Sequence, residues 1–358
     1  MKNTFGNNIN ITIFGESHGA AIGLILDGLK PGIEIDDEYI SKKLSLRRPY
    51  GKISTSRREK DLYSFSSGVF NGKTTGTPLC ILIPNENTQS KDYEATRFLA
   101  RPGHADYTAM IKYKGFQDYR GGGHFSGRIT AALVAGGAIV QKYLEEKGIY
   151  IGTHISRLSG INDAPFTDYQ KDISYLNEQI FATISETAGK DMIKAVETVA
   201  AEGDSIGGIL ETAVTGLPAG LGDPFFDSAE SMLSHALFSV PGVKGIEFGA
   251  GFSFADMKGS EANDSFYVEN ATVKTRTNNN GGINGGITNG MPVLFRLAIK
   301  PTPSIFKKQD TINMDTMTND EIELQGRHDP AIIHRARVVV DSVTALVIYD
   351  MLQNENII

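Results

Sequence analysis

Ile9-Asn10-Ile11-Thr12-Ile13-Phe14, Gly15-Glu16-Ser17-His18-Gly19 and Ala20-Ala21-Ile22-Gly23-Leu24-Ile25-Leu26 read in succession as an apolar strand, a polar turn and a second apolar strand closed by Asp27-Gly28. The pattern continues outward. Asp36 and Asp37 signal the start of a helix reaching Leu46, and Leu62 to Phe70 and Pro78 to Ile83 read as strands. Glu86 to Gly103 is polar and aperiodic, as a long functional loop would be. Ser126 opens the strongest helix, with Ile129, Leu133, Gly136, Val140 and Leu144 at helical spacing until Gly148. Strands follow at Tyr150 to Leu158, Ile209 to Val214, Gly245 to Phe254 and Pro292 to Ile299, with helices near 168–182 and 188–201 between them. Asp329-Pro330 begins a long last helix through Leu352, the aspartate suited to cap it and the proline to its first turn. Strand pairs followed by helices predict an α+β fold with antiparallel sheets, not a doubly wound one. Without a linker, low-complexity tract or repeat, residues 1–358 are expected to form a single large domain.

Composition narrows the function. Apolar residues make up 40% of the 358, enough for a large core, and 22% are charged, so the chain is not disordered overall. Glycine is in excess, at 39 residues with no collagen-like period, and must serve turns, close backbone approaches or anion-cradling loops. The one cysteine, Cys80, excludes an intramolecular disulfide framework and a cysteine-based zinc site. A net charge of −7 argues against nucleic acid and anionic membrane as partners. Yet eight arginines fall between Arg47 and Arg128, and three more at Arg327, Arg335 and Arg337, which suggests a pocket for a small polyanion. The first ten residues are too polar for a signal peptide and no apolar run is long enough to span a membrane, so a cytoplasmic protein is expected.

Several motifs carry possible chemistry. Gly68 to Thr74 resembles a P-loop but has one residue too few between its glycines, and no G-x-G-x-x-G occurs. His328 and His334 lack companions at metal-ligand spacing. Gly15 to Gly19 fits G-x-S-x-G, with Asp329 and His334 following in the order of an α/β-hydrolase triad, so a serine hydrolase using Ser17 is the alternative function. Against it, a strand follows where the nucleophile elbow needs a helix. His18, His104, His124 and His328 sit in glycine- or arginine-rich loops, where a histidine suits general acid work, whereas His154 and His235 lie in a strand and a helix and read as structural. In Gly121-Gly122-Gly123-His124-Phe125-Ser126-Gly127-Arg128 the glycines allow unusual dihedrals, and the helix start near Ser126 attracts phosphate or carboxylate. The glycines from Asn278 to Gly290 would let backbone approach a flat ligand.

Together these segments resemble the chorismate synthase family. The resemblance rests on Gly15 to Gly19 with Ile22 to Gly28, on Gly123 to Ser126 with Arg128 and Thr130 to Ala138, and on Arg327-His328-Asp329-Pro330-Ala331. Arg47-Arg48-Pro49, Arg57-Arg58-Glu59, Arg101-Pro102-Gly103-His104-Ala105-Asp106, Val243 to Glu247 and Lys300-Pro301-Thr302-Pro303-Ser304 also match in order, across essentially the whole chain. The resemblance implies helices sandwiched between antiparallel sheets, a homotetramer, and a lyase that converts 5-enolpyruvylshikimate 3-phosphate to chorismate and phosphate. That 1,4-anti elimination needs reduced FMN, with NADPH or an external flavin reductase as the source of electrons.

By position, the resemblance implies that His18 protonates the departing phosphate and that His104 protonates or stabilises the reduced flavin. Asp329, with Ser17 and Ser126, would handle the substrate proton. Flavin would be held by His124, Phe125, Ser126, Pro241, Gly242, Gly285, Lys300 to Ser304 and Arg327. Arg47, Arg48, Arg128, Arg327 and Arg337 would surround the anionic ligands, Arg47 also matching a position linked with NADPH. Four departures bear on flavin contacts: Pro241 for a common asparagine, Phe125 for a polar residue, Asn280 for histidine or tyrosine, and Asp341 for a glutamate of the final helix.

Overall fold

The computed structural model describes residues 2–55, 60–86, 93–94, 96–324 and 328–354. Strands β1 (Thr4–Phe5), β2 (Asn10–Gly15), β3 (Ala21–Asp27), β4 (Ser64–Ser67) and β5 (Leu79–Pro84) form one five-stranded sheet in the order β1-β2-β3-β5-β4. A second five-stranded sheet, in the order β9-β10-β8-β6-β7, is built from β6 (Tyr150–Leu158), β7 (Ile161–Asn162), β8 (Gly208–Thr215), β9 (Val243–Phe248) and β10 (Val293–Ile299). Every pairing is antiparallel. Helices α1 (Asp37–Leu46), α2 (Asp106–Tyr113), α3 (Thr130–Glu146), α4 (Tyr169–Leu176), α5 (Glu186–Ala201), α6 (Ala229–Leu237) and α7 (Ile333–Asn354) complete the frame. The expected α+β architecture is therefore present.

Helices α3 and α7 lie between the sheets, and small residues set their spacing. A Cβ on Gly136 would stand 2.3 Å from Leu24 Cδ2 of β3, and one on Gly137 would stand 2.5 Å from Ser342 Cβ of α7. The two successive glycines thus let one helix approach a sheet on one side and a helix on the other. Helix α7 is buried from Ala336 to Leu352, consistent with its apolar residues on all sides. Two of its buried carboxylates join layers. Asp350 accepts the backbone N–H groups of Asn8 and Ile9 at 2.6 and 2.7 Å, which ties the turn before β2 to the helix. Asp341 accepts from Thr153 at 2.6 Å, and Thr153 pairs with Thr212 at 2.7 Å, which fastens β6 and β8 to its other side.

Local chemistry explains where the elements begin and end. Asp36 caps α1 by accepting from the N–H of Tyr39 at 2.9 Å. The run expected as one strand from Leu62 to Phe70 breaks at Gly68, whose φ is +85°. Gly249 and Gly251, both at φ +55°, end β9 at Phe248, earlier than apolar content alone suggests. The helix expected over 168–182 stops at Leu176, and α7 starts at Ile333, so Asp329 does not cap it. The rejected P-loop at Gly68 to Thr74 is a tight hairpin turning through Asn71 and Gly72, φ +48° and +71°.

His154 of β6 is 1% exposed, with Nδ1 2.7 Å from Asp163 and Nε2 3.1 Å from Glu211. Asp163 also accepts from the N–H groups of Ile184 and Ser185 at the start of α5. Burial lowers the proton affinity of this imidazole, but the two carboxylates outweigh it and raise its pKa above the ordinary value. Stability from this contact is therefore fully present below the unfolded pKa of about 6.5 and is lost as pH rises through the higher folded value. Melting temperatures across neutral to alkaline pH should show this loss in the parent chain and lack it in His154→Phe.

Candidate active site

Three consecutive glycines organise the site. Gly121, Gly122 and Gly123 all occupy left-handed backbone, at φ +59°, +85° and +52°. That run brings the main chain flush against two separate segments. A Cβ on Gly121 would lie 2.6 Å from His18 Cε1 and 2.8 Å from Ser17 Oγ. One on Gly122 would lie 3.1 Å from His104 Cε1 and 3.8 Å from Ser126 Cβ. Ser17, His18, His104 and Ser126, dispersed over more than a hundred positions, thus meet around one bare peptide.

The supporting contacts fix each side chain. Ser17 is buried, and its hydroxyl donates towards the carbonyls of Arg120 and Gly121 at 3.2 and 3.1 Å, while its N–H donates to Gly123 O. His18 packs at a tilt on Tyr93, ring centres 5.2 Å apart. His124 donates from Nδ1 to the carbonyl of Gly15 at 2.8 Å, which pins the end of β2 to the glycine run. Phe125 meets Tyr113 edge to face. Ser126 caps the short turn into α3 by accepting from the N–H of Arg128. Beside Gly122 opens a cleft lined by Arg97, Arg101, His104, Gln117, Tyr119 and Phe125, among others.

On the other side of Ser126 lies an arginine group. Arg47 donates to Thr130 Oγ1 at 2.9 Å and to Gly127 O at 2.5 Å. Arg128 donates to Asp61, to Asn85 Oδ1 at 3.1 Å and to Pro84 O at 3.2 Å. Asp61 also faces Arg47 at 3.9 Å. Arg335 donates to Asp329 Oδ2 at 2.5 Å and to Arg47 O at 2.7 Å, and Asp329 Oδ1 accepts from Thr55 N–H at 2.9 Å. Among the described residues, three arginines therefore share two aspartates. Burial, then the neighbouring Arg335 and Arg128 charges, push the Arg47 guanidinium down to about 9, with the aspartates only partly offsetting them. A cluster of arginines of this kind suits an anion.

Lys300 joins a third segment to the histidines. Its ammonium donates to the carbonyl of Gly103, and a Cβ on Gly103 would lie 3.3 Å from Pro303. Its N–H donates to Gly242 O at 2.9 Å, so Pro241 and Gly242 border the same strand end. Thr302 Oγ1 and Gln117 Oε1 are buried with no hydrogen-bond partner among the described residues. Ser304 is buried and the carbonyl of Thr302 accepts from Ser205.

The other expected residues make contacts of their own. Arg337 is buried in α7, where it donates to Asp341 at 3.2 Å and to Gln179 O at 2.5 Å and lies close to Asn177, so it serves the core between helices instead of the arginine group. Arg48 donates to Lys60 O. Gly285 turns a small hairpin whose next residue, Gly286, packs against Asp223 and Ser228. Asn280 binds Asp264 through both backbone and side chain at 2.8 Å. Arg327 lies outside the described residues. The hydrolase alternative fails. Ser17 donates to main-chain carbonyls, β3 follows it in place of a helix, and His334 pairs with Ser54 Oγ at 2.8 Å. Burial also pushes His334 down to about 4. Asp61, Asn85, Arg101, Asp106 and Arg335 were not singled out from sequence as site residues. Asp106 closes a motif that was visible, but Asp61 has no local pattern to mark it.

Gly121→Ala is expected to cost about 1–2 kcal/mol in stability, since alanine is strained in left-handed backbone. It should also displace His18. Denaturant unfolding and the rate of diethyl pyrocarbonate labelling at His18 would register both effects, and an unaltered labelling rate would refute the packing described.

A family profile described as Chorismate synthase matches residues 9–353. A chorismate synthase of Dehalococcoides mccartyi is 44% identical over 360 residues, covering 100% of this chain and 98% of that protein. One from Thermococcus gammatolerans is 45% identical over 352 residues, covering 97% and 96%. A crystal structure of chorismate synthase superposes with a TM-score of 0.77 at 26% identity, covering 98% of this chain and 93% of that one. With a fold, a full-length profile and relatives in agreement, the chain belongs to the chorismate synthase family.

Proposed function

We propose that this enzyme, a lyase of the shikimate pathway, releases phosphate from 5-enolpyruvylshikimate 3-phosphate to form chorismate, using reduced FMN. The carrying observation is the junction at Gly121 and Gly122 of two histidines with a cationic group. The substrate bears a phosphate and two carboxylates, and Arg47, Arg128 and Arg335 gather three guanidinium groups in one place. The elimination breaks one C–O and one C–H bond and forms one double bond. Phosphate leaves with the C–O electron pair, and the proton goes to a base. His18 is the group that protonates the departing phosphate, and Asp329, held by Arg335, takes the proton with Ser17 and Ser126 in support.

The residues around His104 fit a flavin. Gly122 lines the cleft beside His104, and Gln117 and Thr302 offer buried polar atoms without partners among the described residues. His104, Phe125, Ser126 and Lys300 to Ser304, with Gly242 behind them, are the residues that would hold it, and His124 acts by locking the loop to β2. When bound, reduced FMN supplies electron density to the breaking C–O bond. His104 holds a proton at the flavin's edge, and Lys300 contributes positive charge.

The enzyme is further read as a cytoplasmic homotetramer whose flavin is reduced by NADPH or by an external reductase. No helix among the described residues is long and apolar enough to cross a membrane. Under anaerobic conditions with chemically reduced FMN, the chain should convert substrate to chorismate and phosphate, and it should be inactive with oxidised flavin alone. His18→Ala should lower turnover about 100-fold or more while FMN affinity changes little. Undiminished turnover in that variant would remove His18 from the acid role, and turnover without reductant would overturn the flavin requirement. NADPH as sole reductant then separates intrinsic from external reduction.

A further inference from the structure

The loop Arg101 to Asp106 closes into a knot that faces the cleft. Asp106, the first residue of α2, is gripped at both oxygens by Arg101. The guanidinium donates from Nε to Oδ2 and from Nη2 to Oδ1, both at 2.7 Å, and the Arg101 N–H adds a third bond to Oδ2 at 2.9 Å. His104 Nδ1 lies 3.1 Å from Oδ1. It also lies 3.1 Å from Arg101 Nη2, but a guanidinium can only donate. The two nitrogens are neighbours because they share one acceptor, so Nδ1 carries a hydrogen and donates it to Asp106. Nε2 and Cε1 are then on the edge of the ring turned towards Gly122, where a Cβ would stand 3.2 and 3.1 Å away.

We propose that Asp106 is a positioning residue for His104. It fixes the ring in the Nδ1–H form, presents Nε2 to the cleft and stabilises the imidazolium, while Arg101 keeps the carboxylate ionised and aimed. This rests on the reading that His104 serves the flavin, and it adds the element that sets the ring's tautomer and charge. Burial alone would raise the Asp106 carboxyl, but the bonds from Arg101 and His104 hold it well below the usual carboxylate range, so it remains an anion at all working pH values. Other charged or titratable groups face the same space. Arg97, Asp118, Tyr93 and Tyr119 line the cleft, and Lys300 reaches the carbonyl of Gly103. Asp118 is already matched by Arg120 through two bonds of 2.8 Å, which leaves Asp106 as the carboxylate that touches the His104 ring.

The test needs neither flavin nor turnover. Diethyl pyrocarbonate acylates only neutral imidazole, and the His104 side chain is 18% exposed to the cleft. Labelling of the full chain across pH, read at the His104 peptide by mass spectrometry, therefore gives a midpoint for that ring. Asp106→Asn should lower the midpoint by about 1–2 pH units, since an opposite charge in contact is lost. Arg101→Gln should raise it, because the carboxylate then answers to the imidazole alone. A purely structural role would change the overall labelling rate in both variants without moving either midpoint in these opposite senses. An unmoved or raised midpoint in Asp106→Asn overturns the proposal, as does a fall in Arg101→Gln. If Asp106→Asn does not fold, a rise in Arg101→Gln supports the proposal and any other result overturns it. Turnover of His104→Ala with reduced FMN tests the flavin reading separately, so failure of one is distinguishable from failure of the other.

Discussion

Everything in the site hangs on the left-handed backbone at Gly121 to Gly123. A side chain at any of these positions would meet the imidazole of His18, the imidazole of His104 or the carbonyl of Asp118. Only glycine adopts three such dihedrals in succession at little cost while leaving the peptide bare. The two histidines belong to distant segments, one after β2 and one before α2. They converge because both press on this peptide from different directions. The same run then feeds, through the Ser126 cap, into α3, the helix that separates the sheets. Site and core are in this sense one construction.

Charge is distributed on the same principle. The chain is acidic overall, yet three arginines meet two aspartates at the start of α3. Each guanidinium is oriented by carbonyls or hydroxyls, so little side-chain entropy remains to be lost when an anion arrives. The charges of Arg335 and Arg128 lower the proton affinity of the Arg47 guanidinium. Arg337 shows the contrast. It is just as buried, but its partners Asp341, Asn177 and Gln179 lie within the layer between helix and sheet, where the charge serves cohesion.

Much of this was legible in the linear chain. The hairpin around Gly15 to Gly19, the strand at Tyr150–Leu158 and the glycine stop after α3 follow from patterns spanning a few residues. The histidines of the site were also visible, because each sits among glycines or arginines. Misreadings had a common origin. Apolar content continues through Leu62 to Phe70 and Gly245 to Phe254, but glycines at positive φ end each strand, and sequence does not say which glycines will adopt it. Asp329 looked like a helix cap because an aspartate before a proline usually is one. It instead pairs with Arg335 two residues inside α7, and it accepts from Thr55.

The sequence by itself determined the local alphabet: antiparallel strand pairs, a glycine-rich loop before a long helix, loop histidines, and an arginine surplus hidden in an acidic chain. These are short-range properties, fixed by side-chain period and backbone freedom. Tertiary structure alone decided which arginines share the site, that Asp61 bridges Arg47 and Arg128, and that Arg337 belongs to the core. It also decided that Ser17 donates to main-chain carbonyls and that His334 pairs with Ser54. Such facts depend on atoms far apart in the chain approaching within a hydrogen-bond length. Only the packing of α3 and α7 between two sheets sets those distances.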